Sequence, residues 1–92
     1  MKQEAAETGA LAALAWLATE EDLLPVFLNA TGAGLDDLRL RAGDPDFLAS
    51  VLDFVLMDDE WVVSCAAALG RPPEDIMAMR QALPGGALPS WT

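Results

Sequence analysis

Asp44-Pro45-Asp46-Phe47-Leu48-Ala49-Ser50-Val51-Leu52-Asp53-Phe54-Val55 decides the reading of this chain. Asp44 has the side chain of a helix N-cap, and Pro45 behind it has its φ preset for the first helical position. Phe47, Val51, Phe54 and Val55 then recur at helical spacing on one side, while Asp46, Ser50, Asp53 and Met57 fall on another. A helix over 45–57 with one buried face follows. Outward from it the same grammar repeats. Asp58 caps a helix over 59–69, and Gly70 suits the left-handed position that ends one. Pro73 opens a last helix to about residue 83, with Glu74 and Asp75 at its positive end.

On the N-terminal side the spacing predicts helices over 10–18, 20–31 and 35–42. Thr19 before Glu20-Glu21-Asp22 resembles a cap with acids in the first turn. Pro25 conflicts with a helix beginning at residue 20, so that helix either kinks there or begins in earnest at Pro25. No segment alternates with period two over strand length. The chain therefore reads as all-α: a single compact bundle of five to six short helices over 1–83, followed by a Pro/Gly tail over 84–92.

A shift of 38 residues aligns Leu14 with Leu52, Trp16 with Phe54, Glu20-Glu21-Asp22 with Asp58-Asp59-Glu60, and Gly32 with Gly70. This suggests a pseudo-repeat of two three-helix units packed as one closed bundle. Two segments lack a polar face: Ala10–Ala18 is wholly apolar, and Trp61–Leu69 is interrupted only by Ser64. Such helices are buried on most sides. Either they pack on each other at the centre, which their alanines favour, or part of one faces another subunit or a partner.

The 92 residues form one small domain with 15 acids against five bases, a net charge of −10, and no histidine. Nucleic-acid affinity rests on Lys and Arg displacing counterions, so duplex DNA, RNA and anionic membranes are poor ligands. A DNA-mimic inhibitor of a basic protein would need the acids to form one continuous stripe. The absence of histidine excludes Ser-His and Cys-His catalysis and the usual zinc ligand sets. A single cysteine, Cys65, forms no intramolecular disulfide. The longest apolar run, Ala10–Ala18, spans nine residues, far short of a bilayer. Glu4 and Glu7 before it have the wrong sign for a secretion signal, so the expected location is the cytoplasm.

Candidate sites are few. Twelve of the 15 acids lie at or beside predicted helix starts, where capping and the helix dipole account for them. Gly32-Ala33-Gly34 reads as a helix C-cap and turn, since no strand precedes it and Asp36 and Asp37 would repel phosphate. Cys65 reads as an inert buried thiol, and Ser64 as bonding back to a carbonyl one turn earlier. Met57, Met77 and Met79 are candidates either for packing or for an adaptable contact surface. Trp91 stands in the tail, where it either covers a gap on the bundle or anchors a partner.

Leu14-Ala15-Trp16-Leu17-Ala18, Glu21-Asp22-Leu23-Leu24, Phe27-Leu28 and Thr31-Gly32 together resemble a bacterial (alphaproteobacterial) family of short acidic helical proteins. So do Asp44–Phe54, Asp59-Glu60 and the end Leu83-Pro84-Gly85-Gly86 with Trp91-Thr92. This is domain of unknown function 3572. The resemblance covers nearly the whole chain. It implies a compact helical fold, hints at a regulatory or signalling role, and supplies no assigned activity or site residue.

The expected function is a non-enzymatic module that binds another protein, or itself, through an apolar helical face. Trp91, Met77 and Met79 are its candidate contacts, with no catalytic, cofactor or metal site. The alternative is a small-ligand or divalent-metal binder, or an enzyme, that uses the carboxylates of Asp53 and Asp58–Glu60.

Overall fold

The computed structural model describes residues 1–85, and these form six helices and no strand: α1 (Gln3–Thr19), α2 (Leu24–Thr31), α3 (Leu35–Leu40), α4 (Pro45–Val55), α5 (Asp59–Leu69) and α6 (Glu74–Ala82). The all-α bundle is the predicted architecture. The Trp91 end of the tail lies outside the described residues.

The capping signals work where the chain needs an N–H acceptor. Asp44 accepts from the Asp46 N–H at 3.0 Å and Asp58 from the Glu60 N–H at 2.8 Å. Gly70 closes α5 with φ of 68°, a conformation that costs a side-chain-bearing residue energy. Thr19 is a correction. It is the last residue of α1, and its Oγ1 donates to the Trp16 carbonyl at 2.7 Å instead of capping the next helix. A turn over 21–23 separates the two helices, and α2 starts at Leu24 with Pro25 in its first turn. There the missing proline N–H has no helical partner to lose.

α1 is longer than predicted because Gln3-Glu4-Ala5-Ala6-Glu7 are good helix formers, and Gln3 Nε2 donates to Glu7 one turn on at 3.0 Å. It is the central helix, packing most extensively on α4 and α6 and then on α5. Its inward side is Ala6, Gly9, Ala10, Ala13, Leu14 and Leu17. At Gly9 the α6 side chain Met79 lies so close that an added Cβ would overlap its Sδ.

α4 supplies most of the bulk. Phe47, Val51, Phe54 and Val55 are buried and Asp46 and Asp53 exposed, as the spacing predicts, and Leu48 and Leu52 are buried as well. Phe27 of α2 meets Phe47 and Phe54 edge-on, with ring centroids 6.0 and 5.4 Å away. Trp61 of α5 stacks on Phe54 at 4.8 Å. Arg80 of α6 ties the outer edge of α4, its Nε donating to Asp53 at 2.6 Å and its Nη1 to the Pro84 carbonyl at 3.1 Å.

The two halves match in order and in their left-handed glycines, with φ of 74° at Gly32 and 68° at Gly70. They differ in weight. α3 buries no residue, whereas its counterpart α6 buries Ile76 and Met79.

Candidate functional site

The two segments without a polar face lie on helices that pack on one another, yet each leaves an apolar side uncovered. α5 buries only Cys65 and Ala66 fully and exposes Val63, Ala67 and Ala68. Ser64 is exposed too and makes no back-bond, while Ser50 Oγ does donate to the Phe47 carbonyl at 2.6 Å. On α1 the side opposite the core presents Leu11, Ala12, Ala15 and Ala18, with Thr8 and Thr19 toward its ends. These positions recur every three or four residues, so they form one continuous strip along the helix.

Two walls stand beside that strip. On one flank Ala68, Leu69 and Arg71, from the end of α5 and the turn after it, bound a groove of about 590 Å³. Its α1 side includes Ala12, Ala15 and the half-buried Trp16. On the other flank Leu38, Arg39 and Ala42, from α3 and its exit, bound a groove of about 280 Å³ against Leu11, Ala15 and Ala18. Ala15 lines both. The result is an open trough with a helix of small side chains as its floor. Leu11, 47% exposed, is the largest apolar floor residue turned fully outward.

Sequence spacing marks Ala10–Ala18 as a segment that needs cover on most sides. It does not say which side is left open, because a helix with no polar face has no directional signal. The trough becomes visible only when α4, α5 and α6 occupy the other side.

The sequence-predicted contact residues divide. Met77 is 48% exposed on α6, whereas Met79 is fully buried against α1 and is not a contact residue. Positions two apart on a helix point to nearly opposite sides, so the two cannot share one surface. Met57 is exposed in the turn after α4. Trp91 lies outside the described residues.

The carboxylates proposed as an alternative site are dispersed in role. Asp53 is engaged by Arg80, Asp58 caps α5, and Asp59 and Glu60 are exposed beside Val63 and Ser64. Among the described residues no three His, Cys, Asp or Glu side chains group so as to hold a metal ion, and no polar or charged side chain is buried. Burial pushes the Cys65 thiol up to about 11, which leaves it protonated and unreactive near neutral pH. Among the described residues no helix is long and apolar enough to cross a membrane.

No curated protein and no solved structure matches the chain. Residues 3–86 match the family described as Protein of unknown function (DUF3572), and the chain belongs to that family.

Proposed function

We propose that the chain is a non-enzymatic protein-interaction module that receives a helix of another protein on the exposed side of α1. The observation behind this reading is the trough: Leu11, Ala12, Ala15 and Ala18 form an apolar floor between the α5 and α3 walls. Amphipathic helices dock by laying an apolar face into such a groove, and small floor residues let the two helix axes approach closely. The other large exposed apolar side chains, Val26, Leu35, Leu40, Met57, Val63 and Met77 among them, are spread over α2, α3, the turn after α4, α5 and α6, and scattered apolar residues are normal on a surface.

The metal or carboxylate-enzyme alternative needs converging oxygen ligands or a buried carboxyl. The described residues offer neither arrangement.

The test uses Ala12→Gln/Ala15→Gln, which adds bulk to the floor without adding charge and at a small cost in helix propensity, a few tenths of a kcal/mol per site. The wild-type chain is expected to retain a stoichiometric protein partner from its native cells, and the double variant to lose it while melting within about 5 °C of wild type. Equal retention by both proteins would refute the docking face.

A further inference from the structure

Among the described residues α3 is the least fastened helix. It buries no residue fully and packs extensively on no other helix. Leu35 and Leu40 are 65% and 74% exposed, so the half-buried Leu38, with Ala33 and Ala42 at its flanks, is what attaches it to the core. Among the described residues every hydrogen bond of residues 34–40 closes within residues 34–42, and no side chain of 34–40 forms an ion pair.

The fixed points lie outside the helix. Before it, α2 is anchored by the buried Phe27 and ends at Gly32, whose φ is 74°. After it, the Arg41 guanidinium lies 4.7 Å over the Phe47 ring of α4, with Nη2 3.6 Å from Asp44. Between these points the chain has Gly34 at the start of α3, and nothing but Leu38 holds the span down.

The surface beneath α3 is built for more than α3 supplies. Leu11, Leu14, Ala15 and Ala18 of α1 line the groove of about 280 Å³ that Leu38, Arg39 and Ala42 bound. Those four positions have the i, i+3, i+4, i+7 spacing of a full helix-packing seam. Leu14 within it is only 4% exposed.

We infer that α3 is a hinged cover on this seam, opening between Gly32 and Arg41 while the other five helices stay folded. Few apolar contacts have to break, and a six-residue helix has little stability of its own to lose. In one respect the inference rests on the docking reading: the open form is the one that seats the partner's helix on Leu11, Leu14, Ala15 and Ala18. α3 is then a built-in competitor, and apparent affinity falls by the fraction of chain that is open.

The test is native-state hydrogen exchange, read by NMR on the full 92-residue chain. The reporters are the Asp37 and Arg41 amides, bonded to the Gly34 and Asp37 carbonyls, against the amides of the buried Val51 and Leu52 in α4. The α3 amides are expected to be protected, but at least about a hundredfold less than those of α4. Low urea and Asp58→Ala should each erode α4 protection, the substitution by about fivefold, and leave α3 protection unchanged, because the α5 cap stays intact when α3 opens. Leu38→Ala should speed α3 exchange by about fivefold, since Leu38 is its attachment. An α3 that follows α4 in urea and in Asp58→Ala opens only with the whole fold, an unprotected α3 covers nothing, and an α3 indifferent to Leu38→Ala is not fastened there. Each of these overturns the inference.

The partner retained in the docking experiment should bind Leu38→Ala about fivefold more tightly than wild type, because more of the chain is open. Equal or weaker binding overturns the competitor role and makes α3 a fixed wall. Failure of the docking reading is separate: it appears as equal retention by Ala12→Gln/Ala15→Gln, and the exchange measurements on the free chain decide the hinged cover in either case.

Discussion

Gly9 of α1 and Met79 of α6 occupy one volume: the hydrogen of Gly9 faces the thioether, and a Cβ there would overlap Met79 Sδ and lie 3.3 Å from its Cγ. Mid-helix glycine lowers helix stability by about 1 kcal/mol relative to alanine. Here it is retained in the middle of the longest helix because it lets a fully buried methionine fill the space between α1 and α6.

Gly9→Ala is therefore expected to destabilise the protein by about 1–2 kcal/mol despite its better helix propensity. In a Met79→Ala background the same change should be neutral or stabilising, because the overlap is gone and the propensity gain of about 1 kcal/mol remains. Urea denaturation of the four proteins in this cycle measures the coupling. Additive effects would show that the two residues do not interact.

Phe27 is fully buried, edge-on to both Phe47 and Phe54, and is the buried anchor of α2. Phe27→Ala should cost about 3–5 kcal/mol, a large share of a small domain's stability. A melting temperature close to wild type would mean that α2 contributes little to the core.

Asp58, at the start of α5, and Thr19, at the end of α1, differ by a measurable amount in what they contribute. Asp58→Ala removes an acceptor from the Glu60 N–H and should lower stability by about 1 kcal/mol. Thr19→Ala removes only a back-bond at the exposed end of α1 and should change stability by less than about 0.5 kcal/mol. Equal losses would contradict the turn between α1 and α2.

Cys65 sets an alkaline limit. Its thiol stays protonated in the folded protein up to about 11, from an ordinary value of 9.0, because burial penalises the thiolate. Between those two values the unfolded chain releases the proton and the folded one keeps it. Stability from this group is thus complete below about 9 and falls by at most about 1.4 kcal/mol per pH unit until the folded thiol titrates. Denaturation at a series of pH values should show a steeper alkaline decline for wild type than for Cys65→Ala. Thiol-directed alkylation at pH 8 should proceed only as fast as the protein opens.

Element identity was readable from residue chemistry because its causes are local. Asp44-Pro45, Asp58 and Gly70 mark helix ends through their own side chain or backbone freedom, and the Phe47–Val55 spacing places one side of α4 inward. Family membership was readable from the same segments. The Thr19 cap was misread because Pro25 delays α2 until Leu24, so the acidic triplet falls at a helix end and turn, not in a first turn.

The sequence by itself determined that this chain is helical, acidic, without histidine and built round an apolar centre. Only the tertiary structure decided which side of α1 that centre takes. A helix apolar all round can be buried on any side, and the choice belongs to the elements packed against it: α4 with its phenylalanines, α6 with Met79 and α5 with Cys65 and Ala66. Their packing is what leaves Leu11, Ala12, Ala15 and Ala18 facing outward.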